Sequence, residues 1–445
     1  MSDLKTAAVA TAKRLIDAGH TTYFAGGCVR DALLGKEPKD YDIATSATPA
    51  EVQALFPKSD AIGAHFGVIL VKENKMAFEI ATFRHDGSYK DGRHPESVTF
   101  SSPEEDAQRR DFTVNGLFQR PLTGEIIDYV GGRTDLEAKV LRAIGNAADR
   151  FQEDALRLLR AIRFATVLNF EIEPTTWQAI KDNAHLLEKI SKERVRDEFT
   201  RTLVSAGRAR GLDLLTESGL MRFIVPEVYD LIGCEQPPQW HPEGDVYTHT
   251  RIMLDMLEGK VSTELALAVL LHDIAKPPTF TYDEADDRIR FNGHDRVGAE
   301  MAEDILRRLK YPNNTIEDVS AMVRNHMNFM NVMNMRTAKV KRFMARPTFE
   351  KEMELHRVDC ASSNGLTENY DFLREKEKEF AAEPLIPAPL VTGKDLINMG
   401  LKPGPEFKKI LRNVETEQLE GRLNDREAAL TFVKSLTSNE QHYSE

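Results

Sequence analysis

Two aspartates one residue apart, Asp40 and Asp42, carry the strongest chemical signal in this 445-residue sequence. They flank Tyr41 in the strand-like run Asp40-Tyr41-Asp42-Ile43-Ala44, whose period of two is expected to project both carboxylates from one face. Two like charges that close repel unless a cation lies between them. An in-line displacement at a phosphate assisted by two divalent ions uses such a pair, so Asp40 and Asp42 are expected to hold Mg²⁺. Just upstream, Gly26-Gly27-Cys28-Val29-Arg30-Asp31 follows a short strand-like run at residues 22–24. Glycines at a helix start let backbone N–H groups face a triphosphate with no side chain in the way. An isolated Asp-x-Asp is more often a solvated loop, but after the glycine turn and Arg30 it points to nucleotidyl transfer. Glu79, in the strand after the pair, is expected to supply a third carboxylate; the plainer alternative is a strand Glu facing solvent.

The next cluster is Arg109-Arg110-Asp111-Phe112-Thr113-Val114-Asn115. Two guanidinium groups, an acid and an amide within seven residues suit the phosphates and ribose of a nucleotide. Residues 84–98 between them and Glu79 are polar and glycine-bearing, and read as a mobile loop near the site. Further on, Asp154 and Arg157 stand three apart in a predicted helix and share a face. An ionised Asp only accepts hydrogen bonds and an Arg only donates them. Cytosine and adenine both present an exocyclic amine beside a ring-nitrogen acceptor, whereas uracil and guanine present a carbonyl beside a ring N–H. The pair therefore suits C and A, and a buried mismatch yields discrimination of about 10⁴. A simple intrahelical salt bridge is the alternative. Arg160 and Arg163 of the same segment are counted with the nucleotide-binding residues.

These residues need a scaffold, and the pattern supplies an α+β one. Residues 1–18 read as a helix, then short strands alternate with helices to about residue 130, the clearest strands being 68–71, 77–83 and 97–100. After Gly131-Gly132 the pattern turns helical and is expected to stay so. The expected domains are a small α/β head at 1–130, a helical neck at 131–230, a second catalytic module at 240–365 and a helical tail at 366–445, with disorder confined to 438–445. Three scattered cysteines, Cys28, Cys234 and Cys360, exclude a disulfide framework and imply a reducing, cytoplasmic setting. No signal segment or membrane span is expected. The net charge of −12 argues against indiscriminate nucleic-acid binding, but residues 189–210 hold seven basic against three acidic residues, and 336–346 hold five basic and none acidic. Basic stripes on an acidic body suit contact with one folded RNA, or are solvated helix faces.

The order Gly-Gly-x-Val-Arg-Asp, Asp-x-Asp, Arg-Arg-Asp-Phe-Thr-x-Asn, Glu153-Asp154-x-x-Arg157 and Glu193-Arg194-Val195-Arg196-Asp197-Glu198 resembles the class II tRNA nucleotidyltransferases, the CCA-adding enzymes, and their poly(A) polymerase relatives. The resemblance covers the first 230 residues, and residues 393–430 resemble the tRNA-gripping end of the bacterial members. It implies a DNA polymerase β-like head, with Asp40 and Asp42 on Mg²⁺, residues 109–115 on ribose and phosphate, and Glu153, Asp154 and Arg157 as the base template. Neck, body and tail would bind the acceptor arm and 3′ end of tRNA, with CTP and ATP as substrates and no obligate protein partner. The one departure is small: the polar loop reads Arg93-His94-Pro95, which the family tolerates.

Downstream, His249, His272-Asp273, His294, His326 and Asp359 follow the order of the HD phosphohydrolase pattern. A buried Asp in an apolar run is costly without a cation or strong donor, and the series suits a mononuclear or dinuclear metal site. The resemblance to HD domains of bacterial CCA-adding enzymes implies a divalent transition metal with phosphatase and 2′,3′-cyclic phosphodiesterase activity. Rival readings are an A-adding or CC-adding specialist, a poly(A) polymerase, and an HD phosphohydrolase whose head only binds nucleotide or RNA. The full-length polar loop favours complete CCA addition over CC addition, and the non-basic ending disfavours poly(A) synthesis.

Overall fold

The computed structural model of the chain describes residues 3–63, 67–73, 75–86 and 98–441. They fall into two compact units, Met1–Asp230 with Glu258–Thr263 and Ile305–Tyr311, and Leu231–Leu257 with Glu264–Asp304 and Pro312–Glu445.

The first unit opens with the helix Asp3–Asp17, whose buried Ala8, Thr11, Ala12 and Leu15 recur at helical spacing. β1 (Thr22–Ala25) then turns at Gly26, at a φ of 68° that glycine enters without strain, into the helix Gly27–Leu33. β2 (Asp42–Thr45), β3 (Ser59–Gly63), β4 (Val68–Glu73) and β5 (Met76–Thr82) follow, then β6 (Arg84–Asp86) paired with β7 (Val98–Phe100) as a separate hairpin, and finally β8 (Phe118–Gln119) and β9 (Ile126–Ile127). One seven-stranded sheet runs β3-β4-β5-β2-β1-β8-β9. β2 lies antiparallel to β1 and parallel to β5, with Ile43 opposite Ile80. That register sets Asp42 and Glu79 one step before the pair on neighbouring strands. Phe24, Ile43, Ile69, Val71, Phe78 and Ile80 are buried; burial alternates along β4 and β5, whereas β1 is buried throughout.

Two expectations for the head need correction. The strand begins at Asp42, so Asp40 lies on the approach to β2, and the period of two does not itself align the carboxylates. The predicted loop at 84–98 begins and ends in the hairpin strands β6 and β7, while its centre, 87–97 with Arg93-His94-Pro95, lies outside the described residues, as do the terminal residues 442–445.

Beyond Gly131 the chain is helical except for short strands. Gly132 packs so closely on the Thr113 carbonyl that a Cβ would lie 2.2 Å from its oxygen, which ties the helix Gly132–Ala138 to the segment Thr113–Asn115. β10 (Val140–Leu141) and β11 (Glu171–Ile172) form a small parallel pair. Between them run the helices Ala147–Glu153 and Leu156–Leu168, and after them Pro174–Asn183, Lys192–Leu203 and Arg208–Glu217.

In the second unit, the helix Thr263–Leu271 is buried on every side from Leu265 onward, as its unbroken apolar run requires. The antiparallel hairpin of β12 (Phe280–Asp283) and β13 (Arg288–Phe291) interrupts the helical pattern expected there. The tail helices Gly393–Asn398, Pro405–Leu419 and Arg426–Gln441 share a core of Leu396, Ile410, Val414, Ala429 and Val433. No helix among the described residues is long and apolar enough to cross a membrane.

Several cations of the basic stripes are partnered within the protein, while Lys189 and Arg201 stay exposed. Arg194 pairs with Asp154, Arg196 with Asp197 and the Lys310 carbonyl, and Arg210 donates to the Ala165 and Phe170 carbonyls, while Arg208 is buried. In the second stripe Arg342 binds Glu415 and Arg346 binds Glu352, leaving Arg336 and Lys339 exposed.

Candidate functional site

A cavity of about 520 Å³ opens in the first unit where the turn after β1, the approach to β2, the 109–115 segment and two helices meet. Gly26, Gly27, Arg30, Asp40 and Asp42 line it from the sheet side of the sequence. Arg109, Arg110, Asp111 and Asn115 line it from the middle segment, and Asp154, Arg157 and Arg160 from the helices. With Arg194 also on the wall, residues up to 168 positions apart are thereby brought to one space.

Hydrogen bonds fix this wall. Arg30 Nη1 donates to Asn115 Oδ1 at 2.6 Å, Asn115 Nδ2 donates to Asp111 Oδ1 at 3.0 Å, and Arg160 donates to Asp111 Oδ2 through Nε at 2.8 Å and Nη2 at 2.6 Å. Burial would raise the Asp111 carboxyl, but Arg160 and Asn115 hold it below its ordinary value. Arg109 and Arg110 are both clamped by the buried carboxylate of Asp106, at 2.7 and 3.0 Å. A Cβ on Gly26 would meet Arg110 Nη1 at 3.0 Å, so glycine there serves the approach of that guanidinium as well as the turn.

The helix predicted across residues 150–164 breaks at Asp154, which is extended at φ −139°, ψ 102°. Arg157 therefore pairs with Glu153 at 2.7 Å, and Asp154 accepts from Arg194 at 3.1 Å. Asp154 and Arg157 do not form the expected pair with each other, yet both line the cavity. Glu153 and Arg163 do not line it: Glu153 holds Arg157, and Arg163 pairs with Glu198 at 2.5 Å. Glu79 does not line it either, but it is near enough to Asp42 to shift its pKa. Four contributors were not among the expected residues: Asp106, which clamps the arginine pair, and Leu156, Phe164 and Arg194, which line the cavity. Asp106 was detectable as the acid three and four residues before the arginine pair, and Arg194 stands in the quoted Glu193–Glu198 run; nothing marked Phe164.

Loss of hydration pushes the Asp42 carboxyl up to about 6, with Asp40 and Glu79 adding repulsion and Arg110 opposing. Such a group gives up its proton when a cation binds, which fits a divalent-metal site among Asp40, Asp42 and Glu79. A pH dependence follows. An ordinary aspartate stays ionised to about pH 4, whereas here the raised value means protonation already begins near 6. Mg²⁺ affinity, measured by titration at pH 7.5, 6.5, 5.5 and 4.8, is expected to hold above 6 and fall by up to about tenfold per unit below it. Constant affinity down to pH 5 would remove Asp42 from the ligand set.

The second unit gathers a different donor set. His249 comes from the helix Val246–Asp255, His272 and Asp273 from the turn after Leu271, His294 from the start of His294–Arg308, His326 from the end of Asn313–Asn325, and Asp359 from Phe349–Ser362. His249, His272 and Asp273 form one group with ligand atoms within 4.8 Å of one another, and Asp273, His294 and His326 form another, so Asp273 belongs to both. Asp359 Oδ1 lies 3.2 Å from His249 Nε2. Backbone carbonyls of Val269, Phe291 and Val323 accept from Nδ1 of His272, His294 and His326 at 2.9, 2.7 and 2.6 Å. A carbonyl only accepts, so each Nδ1 carries the proton and each Nε2 is left for a metal.

Nε2 of His249 and of His272 are buried without a well-formed hydrogen bond. That is costly for polar atoms unless a cation takes them, and the imidazole–carboxylate set suits a divalent transition ion. Against the cost of burial, His272 and Lys276 hold Asp273 well below the ordinary carboxylate range. Burial pushes His326 down to about 4, while His249, despite burial, is raised to about 9 by Asp359 and Glu243. A cavity of about 500 Å³ opens on Asp273, His294, His326 and Asp359.

Comparison with known proteins finds matches for both parts of the chain. Residues 22–142 match the family model for the poly A polymerase head domain, 169–231 that for a probable RNA and SrmB-binding site of polymerase A, and 245–361 the HD domain. The head is thus a nucleotidyltransferase domain of the poly(A) polymerase type. A CCA-adding enzyme of Ligilactobacillus salivarius is 32% identical over 444 residues, 95% of each chain. That of Lactobacillus johnsonii is 44% identical over 221 residues, 49% of this chain, so the match spans about half (55%) of that relative's length. The crystal structure of the Bacillus stearothermophilus CCA-adding enzyme in complex with CTP superposes with a TM-score of 0.77 at 28% identity and full coverage of both chains. The chain belongs to the CCA-adding enzymes, a family of tRNA nucleotidyltransferases.

Proposed function

We propose that this chain builds and repairs the 3′-terminal CCA of tRNA from CTP and ATP without a nucleic-acid template. The observation that carries the reading is the single cavity in which the Asp40 and Asp42 carboxylates, the Arg109 and Arg110 guanidiniums and the side chains of Asp154 and Arg157 converge. Asp40 and Asp42, with Glu79 beside them, would hold Mg²⁺. The ions, when bound, supply charge neutralisation at the phosphates and favour ionisation of the attacking hydroxyl. The tRNA 3′ oxygen bonds to the α-phosphorus as the bond to the β-phosphate oxygen breaks, releasing pyrophosphate. Arg109, Arg110 and the backbone at Gly26 and Gly27 hold the charge of the departing group, while Arg30, Asp111 and Asn115 orient the ribose.

We also infer a second activity at the HD centre, hydrolysis of phosphoesters including 2′,3′-cyclic phosphates, for which the buried histidine and carboxylate set would hold a divalent transition metal. Its cavity carries Lys276, and the metal when bound supplies Lewis-acid activation of water.

The test is incubation with Mg²⁺ and tRNA transcripts ending at the discriminator base, at C and at CC, with the four nucleoside triphosphates singly and in pairs. Addition of C, C and A that then halts is the expected result. A alone added to the CC end would mean an A-adding specialist, C addition that stops at CC a CC-adding one, long A tails a poly(A) polymerase, and no incorporation an HD phosphohydrolase with a binding head.

A further inference from the structure

His241 and Glu243 lie outside the histidine–aspartate series, in the loop that leads into the helix Val246–Asp255, and both are largely buried beside the metal-donor set. Glu243 Oε1 is 2.7 Å from His249 Nδ1 and 2.9 Å from His241 Nδ1, so one carboxylate oxygen serves two imidazoles. Ser362 Oγ stands 3.3 Å from the same His249 nitrogen. The two rings meet edge to face, with centroids 5.0 Å apart. The other oxygen of Glu243, Oε2, is buried with no hydrogen-bond partner.

Donor and acceptor chemistry fixes what each ring does. An ionised carboxylate only accepts, so both Nδ1 atoms carry their protons toward Glu243. His249 Nε2 faces the carboxylates of Asp273 and Asp359, so a bound metal would take the place of the proton held there and the Nε2 lone pair would then serve as ligand. His241, fixed in the same way, is left with its Nε2 lone pair, and it lines the cavity that opens on Asp273, His294 and Asp359. A neutral imidazole nitrogen there accepts a hydrogen bond from water or a hydroxyl.

The loop cannot easily turn these side chains away. Asp245 accepts from the backbone N–H groups of Thr248 at 2.8 Å and Gly233 at 2.6 Å. Buried Gln236 donates to the Gly244 carbonyl and accepts from Lys276, which in turn pairs with Asp273 at 2.6 Å. The loop is thereby bonded to the metal-donor turn itself.

We propose that Glu243 is a shared outer carboxylate that orients His249 for the metal and His241 for the cavity, where His241 positions the water that attacks a phosphoester. The proposal for His241 rests on the phosphohydrolase reading of this centre; that for Glu243 needs only a bound metal. In the hydrolysis it serves, His241 Nε2 accepts the hydrogen bond of the approaching water, the water oxygen bonds to phosphorus as the ester P–O bond breaks, and one water proton passes by way of His241 to the departing oxygen, which leaves as the alcohol, while the other stays on the phosphate.

The test uses the full chain carrying Asp40→Ala and Asp42→Ala, which together weaken the head's competing carboxylate site, with Co²⁺ as probe. Glu243→Gln is expected to weaken Co²⁺ retention about 10- to 100-fold. His241→Ala is expected to bind Co²⁺ as the parent does, to lose about 10²-fold in kcat on p-nitrophenyl phosphate with KM nearly unchanged, and to regain rate with added imidazole. Co²⁺ retention in Glu243→Gln equal to the parent's would overturn the shared carboxylate, and an undiminished kcat in His241→Ala would overturn the water-positioning role. A Co²⁺-loaded parent that releases no p-nitrophenol would overturn the phosphohydrolase reading and the role of His241 together, while Glu243→Gln would still decide the carboxylate bridge.

Discussion

Asp42→Ala is expected to lower nucleotide incorporation by at least about 10³-fold while leaving the metal-free protein as stable as before, or more so. Charge stabilisation by a bound metal contributes several kcal/mol to phosphoryl-type transition states, and each 1.36 kcal/mol is tenfold in rate. The carboxyl of Asp42 is pushed up to about 6 by lost hydration and by Asp40 and Glu79, so in the absence of metal its charge is a liability. Above pH 6 that repulsion acts in full, and alanine removes it. Below about 4 the carboxyl is protonated in both folded and unfolded chains, and the substitution gains nothing through charge. Single-turnover incorporation with a CC-ended tRNA transcript, alongside thermal melts at pH 7.5 without divalent ions, reads both effects. A lost rate with a lowered melting temperature would reassign Asp42 to structure, and a near-normal rate would end the two-metal assignment.

The carboxylates were legible in the sequence because their meaning lies in residue type and spacing, and the strands at 68–73 and 76–82 because alternation survives into burial. What local spacing could not supply is the partner of each charge. Asp154 and Arg157 read as a helical pair, but the extended backbone at Asp154 separates them, and each finds its partner elsewhere, in Arg194 and Glu153. Arg163 likewise read as a nucleotide-facing cation, and a residue 35 positions away, Glu198, takes its charge. The basic stripe at 189–210 falls within the region that matches an RNA-binding family model, but a count of charges does not reveal that some of its cations, such as Arg210, already bond distant carbonyls of Ala165 and Phe170. The HD series was legible as an ordered set, whereas Glu243 was not, because it acts through His249 and no periodicity marks it.

That separation of Asp154 from Arg157 bears on selectivity, and Asp154→Asn tests it with the second large effect. Of the five donor hydrogens of Arg157, three are committed, two on Nη1 to Glu153 and the Arg150 carbonyl and one on Nη2 to the Arg109 carbonyl. Nε and one Nη2 hydrogen are left to donate. Asp154 accepts from the Leu156 amide and from Arg194, so both of its oxygens are anchored and their remaining lone pairs can only accept. A base offered to this pair must present a donor to Asp154 and an acceptor to Arg157, which cytosine and adenine do. Asparagine keeps the size of the side chain but adds an amide that donates, so uracil and guanine gain a partner they lack in the natural protein. The ratio of kcat/KM for CTP over UTP, and for ATP over GTP, is expected to fall by about 10²-fold or more, since losing a buried mismatch removes discrimination of that order. If the carboxylate serves only as an anchor for Arg194, all four triphosphates would instead lose rate by a common factor, and the ratios would stand. The two outcomes differ in a quotient that is insensitive to the amount of active enzyme, which makes the ratio, and not the rate, the decisive reading of whether Asp154 touches the base.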